Sequence, residues 1–283
     1  MTNFCKKELL TIYLNNGFER SEAEAEISFA IEIISSLTEK DLIMGNFPDN
    51  EQTVKIKNAI EQRVKTGAPI AQILGFAYFM GHKFEVNPYT LIPRPETELL
   101  VKKTIQIVKE NKFKQVLDIG TGSGCIACMC AKNTEAQVLG VDISNEALKI
   151  ALNNAMHLDL MNRALFRKSD IFSKIRLEEK FDVIVSNPPY IPLKEKPLLQ
   201  REVRDFEPES ALFTDDEAGL EFYKKITRSA KDFLNNRGYV LFEVGKGQSQ
   251  KVKTLFEENN FSNIEILEDV SGIERVVLGQ LND

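Results

Sequence analysis

Beyond residue 112 the chain alternates short apolar runs with stretches of helical pattern. The runs have the length of strands: QVLDIG, QVLGVD, the segment before KSDIF, FDVIVS, GYVLFEVG and two in NIEILEDVSGIERVVLG. Most of them are apolar throughout, which indicates strands buried on both faces, as in a parallel sheet covered by helices. The pattern predicts an α/β fold with a seven-stranded, mostly parallel sheet.

The chain before this region has helical patterns and no strand alternation. SEAEAEISFAIEIISSL, starting at Ser21, spaces its apolar residues as a helix does, and Glu24 completes a capping-box pattern. NEQTVKIKNAIEQRVKTG, starting at Asn50, predicts a second helix that ends at Gly67. We expect these stretches to form a small helical domain.

Aromatic and β-branched residues surround Gly81 in FAYFMGHKFEVN, a pattern typical of a β-hairpin. Two prolines, Pro93 and Pro95, come just before the next helical stretch. The sequence therefore predicts three parts: a helical domain over 1–75, a β-hairpin linker over 76–92 and the sheet domain over 93–283.

Composition limits the class of protein. Hydrophobic residues make up 43% and charged residues 28% of the 283 residues, which is ordinary for a folded globular chain. The formal charge of -6 argues against a protein that holds nucleic acid by neutralising phosphates. Since we find neither a long apolar run nor a signal-peptide pattern, we expect a cytoplasmic protein.

Three of the four cysteines, Cys125, Cys128 and Cys130, fall in CIACMC. A zinc site needs about four ligands, and the two histidines, His82 and His157, are not spaced with these thiols as metal ligands are. We therefore expect no metal and place the cysteines on a buried helix.

The segment VLDIGTGSGCIA ends a strand at Asp118 and enters a helix through Gly120, Gly122 and Gly124. Glycine lets the backbone approach a ligand closely. Asp142 ends the next strand, where its carboxylate could accept hydrogen bonds from ribose hydroxyls. Dinucleotides and S-adenosylmethionine (SAM) both need these features, and an Asp before a helix can also be a cap. The pattern leaves these alternatives open.

KSDIF follows the third strand of the predicted sheet. It places Asp170 and Ile171 at the carboxyl edge, where open α/β sheets collect their ligands. A cap or turn would explain the same five residues, so their position alone makes them candidates.

VSNPPYIPL ends the fourth strand at Asn187 and continues with Pro188, Pro189 and Tyr190. Proline fixes φ and lacks an N–H, so the neighbouring carbonyls are left as acceptors in fixed directions. The Asn187 side-chain oxygen and the Pro188 carbonyl could hold both hydrogens of a planar amino group, with the Tyr190 ring against it. Such positioning would aim the nitrogen at a methyl donor for in-line transfer.

Together these residues resemble the class I SAM-dependent methyltransferases that modify planar amino groups and, among them, the release factor-specific glutamine methyltransferases. The shared motifs occur in that family's order: QILG at 72–75, LIPRPETE at 91–98, GTGSG at 120–124, NPPY at 187–190 and GIERVVLG at 272–279. NPPY also occurs in adenine-N6 DNA methyltransferases, whereas LIPRPETE joined to a small helical domain is the specific part. The resemblance covers nearly the whole chain and implies a Rossmann-like methyltransferase sheet.

The resemblance also implies a cofactor, SAM, and a set of residues that contact it: Gly120, Thr121, Gly122, Ser123, Gly124, Asp142, Asp170, Ile171 and Asn187. It assigns the substrate glutamine to the loop formed by Asn187, Pro188, Pro189 and Tyr190. The implied protein partners are class 1 peptide chain release factors, methylated at the glutamine of their Gly-Gly-Gln motif. We expect no direct nucleic acid or membrane partner.

The chain departs from this family at two places. Family members usually have a glycine-rich stretch in place of Phe213 to Ala218, and many have an aromatic residue in place of Ile171. The first departure leaves the role of that loop open, and the second predicts weaker adenine packing.

Three other functions remain to be weighed. An adenine-N6 nucleic acid methyltransferase would need a basic groove, which an acidic chain does not indicate. An oxidoreductase would leave NPPY unexplained. A non-catalytic protein with a SAM fold would agree with the helical domain, although every predicted site residue is present.

Overall fold

We describe residues 4–282 of a computed structural model. They separate into two compact units. The first extends to Phe76 and includes Gln200–Phe206, and the second comprises Ala77–Leu199 and the chain from Glu207 onward. Apart from Phe76, the β-hairpin expected to be a linker belongs to the second unit. The division into 1–75, 76–92 and 93–283 stays a prediction.

The helices are α1 Lys6–Asn15, α2 Arg20–Ser35, α3 Glu39–Ile43, α4 Asn50–Thr66, α5 Ile70–Leu74, α6 Thr97–Asn111, α7 Cys125–Asn133, α8 Asn145–His157, α9 Arg201–Phe206, α10 Glu209–Leu212, α11 Glu221–Ala230 and α12 Ser249–Glu258, with a 3-10 helix at Leu193–Leu198. The strands are β1 Phe76–Phe79, β2 His82–Glu85, β3 Gln115–Ile119, β4 Gln137–Asp142, β5 Ala164–Lys168, β6 Phe181–Ser186, β7 Ile191–Pro192, β8 Phe213–Thr214, β9 Leu234–Glu243, β10 Phe261–Glu268 and β11 Glu274–Leu281.

The first unit is built from helices, as the sequence predicts. Helix α4 ends at Gly67, whose φ of 80° closes the last turn, and Asp49 with Gln52 forms a capping box at its start. The predicted capping box at Ser21 is wrong, because α2 already starts at Arg20 and its preceding residue, Glu19, makes no side-chain cap.

The second unit contains the seven-stranded sheet, in the order β10-β11-β9-β6-β3-β4-β5. Strands β5, β4, β3, β6 and β9 are parallel, whereas β11 is antiparallel to both β9 and β10. The predicted Rossmann-like methyltransferase sheet is confirmed. Parallel strands end at one edge, so the residues that follow β3, β4, β5 and β6 meet there.

Successive residues of the central strands enter opposite cores. In β3, Val116 packs with α6 and α7, while Leu117 packs with α11 and α12 on the other face. The three cysteines of α7 are buried in the first of these cores, as expected. The hairpin contributes Phe79 and Phe84 to the same core. Tight packing on both faces fixes the strand ends, which position the site.

Within the part of the chain that we describe, no helix combines the length and the apolar character needed to cross a bilayer.

Candidate active site

A cavity of about 340 Å³ lies at the carboxyl edge of the sheet, and we call it the edge cavity. It is lined by residues that follow four strands: Gly120, Thr121, Gly122 and Ser123 after β3; Asp142, Ile143 and Ser144 at β4; Ser169, Asp170 and Ile171 after β5; and Asn187, Pro188 and Pro189 after β6. Further lining comes from residues 89–97 and from α11. The fold therefore brings most of the predicted site residues together.

The glycine turn after β3 requires glycine for two different reasons. Gly120, Gly122 and Gly124 have φ of 72°, 53° and 78°, a region that L side chains rarely occupy. A Cβ on Gly120 would meet no atom within 4 Å, so this backbone faces open space. A Cβ on Gly124 would instead lie 2.9 Å from Cβ of Ala151, and Gly124 does not line the cavity. The first of these positions leaves room for a ligand, and the last lets α7 pack against α8.

Asp118, at the end of β3, forms hydrogen bonds that hold this turn. Its Oδ2 accepts hydrogen bonds from Thr121 Oγ1 at 2.6 Å and from Ala127 N at 3.2 Å. Its Oδ1 is buried and has no hydrogen-bond partner among residues 4–282. Burial raises the pKa of Asp118 to about 7. The carboxyl ties the turn to the start of α7.

Asp142 presents a carboxylate at the end of β4. Its Oδ2 accepts from Gly122 N and its Oδ1 from Ser144 N, each at 2.9 Å. A carboxylate has about four lone-pair positions, so both oxygens keep capacity for a ligand in the cavity. Burial raises the pKa of this group, and the backbone N–H bonds oppose that shift.

After β5 the chain turns sharply at Ile171, a β-branched residue with φ of 49°. Such a residue in the left-handed region is a true outlier, and strain of this kind is common at ligand sites. Ser169 Oγ holds the turn, since it donates to the Ile171 carbonyl at 2.8 Å and accepts from Lys174 N at 3.0 Å. Asp170 and Ile171 both line the cavity, as the sequence predicts.

Asn187 follows β6 and belongs to a row of polar groups. Its Nδ2 donates to Thr97 Oγ1 at 3.3 Å, and Thr97 Oγ1 donates to Glu243 Oε2 at 2.6 Å. Thr97 begins α6 and Glu243 ends β9, and both are buried. Burial raises the pKa of Glu243 to about 7, against the hydrogen bond from Thr97 and the charge of Arg275.

Tyr190 packs against other parts of the protein. It does not line the edge cavity, and its main-chain oxygen accepts a hydrogen bond from Gln248 Nε2 at 3.0 Å. The ring lies beside Gly245, where a Cβ would come within 3.0 Å of Tyr190 Cδ2. Burial raises the pKa of its hydroxyl to about 12. In this structure Tyr190 holds the loop in place, and its contact with substrate stays a prediction.

The loop of uncertain role, Phe213 to Ala218, also contributes to the site region. Phe213 and Thr214 pair as β8 with β7, which follows NPPY, and Phe213 lines the edge cavity. Asp216 closes the loop by accepting from Leu220 N at 2.6 Å. In this chain the stretch therefore begins with a short parallel bridge to the segment that follows NPPY.

Sequence reasoning missed Thr97 and Glu243. Glu243 ends the strand GYVLFEVG, so the same strand-end rule that selected Asn187 and Asp142 would have selected it. Thr97 lies inside LIPRPETE, and no pattern shows that it contacts Glu243, which is 146 positions away.

The comparisons with known proteins concern the family and the fold. The family model described as "Methyltransferase small domain" matches residues 96–202. The structure of a ribosomal protein L11 methylase from Lactobacillus delbrueckii subsp. bulgaricus is 21% identical, with a TM-score of 0.51, and covers 70% of this chain and 84% of that one. This likeness supports the fold alone.

Two curated relatives carry the name "Release factor glutamine methyltransferase". The protein from Fusobacterium nucleatum subsp. nucleatum is 38% identical over 81% of this chain, and the match spans 65% of the length of that relative. The protein from Flavobacterium psychrophilum is 38% identical over 92% of both chains. Identity of this extent assigns the family, and the chain belongs to the release factor glutamine methyltransferases.

Proposed function

We propose that this protein transfers the methyl group of SAM to the side-chain amide nitrogen of the glutamine in the Gly-Gly-Gln motif of class 1 peptide chain release factors. The observation that carries the proposal is the position of Asn187, which lines the same cavity as the glycine turn and Asp142. Release factors act on ribosomes, so the proposal includes a cytoplasmic location.

The residues of the edge cavity fit SAM. The space beside the Gly120 backbone is open. The amino-acid part of SAM could therefore lie close to the glycine turn. Asp142 has free acceptor positions for a ribose diol. Ile143, which is 56% exposed, and Ile171 both line the cavity. Their aliphatic side chains could pack against the adenine ring of SAM. Bound there, SAM would supply a sulfonium-activated methyl group.

The chain's own task would be to orient the substrate amide. An amide nitrogen is a weak nucleophile, because its lone pair is delocalised into the carbonyl. Asn187 Oδ1 would accept one of its hydrogens and the Pro188 carbonyl the other, which fixes the plane of the group. Pro189 has no N–H and a fixed φ, so it keeps that carbonyl in place. Positioning of this kind supplies a large part of a transfer rate.

An adenine-N6 amino group is also planar and carries two hydrogens, so the loop alone does not separate the two substrates. The charge of -6 favours a protein substrate over a polyanion. A protein that only binds SAM would keep the cavity and show no transfer.

The test is transfer of labelled methyl from SAM to purified release factor. Native factor and a variant with its Gly-Gly-Gln glutamine changed to alanine are compared, with DNA as a further acceptor. We expect label on the native factor only. Label on both factors would move the site elsewhere on the protein, label on DNA would favour the adenine alternative, and no label with SAM bound would favour the non-catalytic one.

A further inference from the structure

The Asn187 side chain is held by two buried groups that come from other elements. Thr97, at the start of α6, is 3% exposed, and Glu243, at the end of β9, is also 3% exposed. They form the row Asn187 Nδ2 to Thr97 Oγ1 to Glu243 Oε2, with distances of 3.3 and 2.6 Å. We call these three residues the polar row.

Donor and acceptor are fixed in each hydrogen bond of the polar row, and the carboxylate of Glu243 determines which is which. We call this order of donors the direction of the row. An ionised carboxylate only accepts hydrogen bonds, so the Thr97 hydroxyl spends its single proton on Glu243. Thr97 Oγ1 can then only accept from its other neighbour, and that neighbour must present an N–H. Asn187 therefore turns Nδ2 toward Thr97. Asn187 also acts directly on Glu243, because a hydrogen bond from its N–H lowers the pKa of that carboxyl; this too turns Nδ2, and not Oδ1, toward Glu243.

The direction decides which atom of Asn187 is left for the edge cavity. With Nδ2 engaged, Oδ1 remains, and it accepts no hydrogen bond from residues 4–282. A flipped amide would present N–H to the N–H of the substrate amide, and both would then lack an acceptor.

We propose that Glu243 is a positioning residue that acts through Thr97 to fix the Asn187 amide with its oxygen toward the substrate. This inference rests on the proposed function for its substrate. The hydrogen positions of Asn187 and Thr97 can be determined in the enzyme without substrate.

The groups around the Glu243 carboxylate decide its charge. Arg275 of β11 stabilises the ionised form. The other titratable groups close to it among residues 4–282 are Glu96 before α6, Tyr190 of the loop, Cys125 of α7 and Tyr223 of α11. Tyr223 Oη donates to the Glu243 main-chain oxygen at 2.9 Å and not to its carboxylate. Above a pH of about 7 the carboxylate is ionised and the direction is fixed.

The main test removes the middle of the polar row. In Thr97→Val the hydroxyl is lost at nearly unchanged volume, and we expect kcat to fall by about 100-fold with the Kd for SAM changed less than about threefold. Thr97→Ser keeps a hydroxyl and should restore kcat to within about threefold of wild type. Thr104→Val is the matched control, because Thr104 is a buried threonine of α6 whose hydroxyl donates to the Leu100 carbonyl one turn earlier in the same helix. Equal kcat in Thr97→Val and Thr104→Val would overturn the inference.

The second test uses pH. Protonated Glu243 can donate to Thr97 and release the direction, so wild-type kcat should fall as pH drops below about 7. Glu243→Gln removes the titration, and we expect a kcat that is lower by about 10-fold and constant from about pH 6 to 8. A fall in kcat that persists in Glu243→Gln would assign the titration to another group, such as Asp118, and would overturn the inference.

The third test needs no substrate. Neutron diffraction of the enzyme locates deuterium, which X-ray data at ordinary resolution do not show. We expect one deuterium of Asn187 Nδ2 directed at Thr97 and the Thr97 deuterium directed at Glu243. The reverse orientation would overturn the inference. Absence of methyl transfer by wild type would refute the proposed function alone, since the deuterium positions decide the direction of the row independently.

Discussion

Asn187 and Asp142 are polar residues that follow apolar strands, and each is proposed to serve a different ligand. Asp142 keeps acceptor capacity beside the glycine turn, where a ribose would lie. Asn187 faces the same edge cavity with an amide whose nitrogen is already engaged. The two roles are separable, because one should affect cofactor affinity and the other turnover.

Asn187→Ala should lower kcat by at least about 100-fold, because it removes the acceptor for the substrate amide. The fold should be retained, since the hydrogen bond from Asn187 Nδ2 to Thr97 is long, at 3.3 Å. The matched control is Asn111→Ala at the exposed end of α6, where kcat should be unchanged. Steady-state methyl transfer measures both. Normal turnover in Asn187→Ala would refute the role of the amide.

Asp142→Ala should raise the Kd for SAM by about 100-fold, since hydrogen bonds to a charged group contribute about 1.5–3 kcal/mol each. Asp182→Ala is a matched control, because Asp182 Oδ2 also accepts from two backbone N–H groups, those of Lys114 and Gln115, away from the cavity. We expect it to lose stability but to keep SAM affinity. Calorimetric titration with SAM separates the two, and equal affinities would exclude the ribose contact.

Single residues could be predicted where one rule sufficed. Asn187 and Asp142 were found because a polar side chain after a buried strand must lie at the carboxyl edge. The contact of Tyr190 with substrate stays a prediction, and its ring packs beside Gly245, a contact across 55 positions of the chain that the sequence did not indicate. Contacts of that kind depend on the final packing and leave no local pattern.

At the scale of elements, the glycine turn and α7 form one unit whose shape depends on close packing. Gly124 begins α7 in the left-handed region, and its Cα faces Ala151 of α8. This contact fixes where α7 begins relative to α8, and with it the end of the glycine turn.

Gly124→Ala should therefore lower the free energy of unfolding by about 2–4 kcal/mol, because it combines left-handed strain with a Cβ 2.9 Å from Ala151 Cβ. Gly81→Ala in the hairpin turn has a similar φ of 75° but no atom within 4 Å, and should cost only about 1 kcal/mol. Denaturant unfolding compares them. Equal losses would show that the contact with α8 is not limiting.

Elements with strong periodicity could be predicted, whereas their ends depended on local detail. The seven strands were recognised from apolar runs, and α4 from its spacing and Gly67. The start of α2 was misplaced because Ser21 and Glu24 match a capping box, yet Arg20 is already helical and Arg20 pairs with Glu24 at 3.4 Å. A capping motif one residue inside a helix looks the same in sequence as one at its start.

For the molecule as a whole, association of distant segments was not predictable. Residues 200–206 belong to the first unit. In that unit Glu202 forms an ion pair with the buried Arg63 at 2.6 Å. Glu22 and Glu26 pair with the same guanidinium group. Neither composition nor spacing indicates that a segment after NPPY joins the helical unit. That association depends on a charge network visible only in the folded chain.

Stability should also depend on pH through buried acids of the second unit. The folded-state pKa of Asp118 is about 7, above its usual 3.8, so the folded state holds this proton more tightly. At low pH Asp118 is protonated in both the folded and the unfolded state, so the free energy of unfolding does not change with pH through this group. As pH rises from the unfolded-state pKa toward about 7, the free energy of unfolding falls by about 1.4 kcal/mol per pH unit.

Asp118→Asn does not titrate. Relative to this variant, wild type should therefore lose about 2–3 kcal/mol between about pH 5 and 8. Urea unfolding of both proteins without SAM gives this difference. A constant difference across that range would mean that Asp118 is not desolvated as the structure indicates.

We expect this enzyme to methylate a single glutamine amide of a release factor. Tandem mass spectrometry of release factor incubated with SAM and enzyme tests this expectation most directly, because it gives the modified residue as well as the modification. We predict one added methyl on the side-chain nitrogen of the Gly-Gly-Gln glutamine, and none with Asn187→Ala. A methyl group on any other residue, or an unmodified glutamine after incubation with SAM-bound enzyme, would contradict the account.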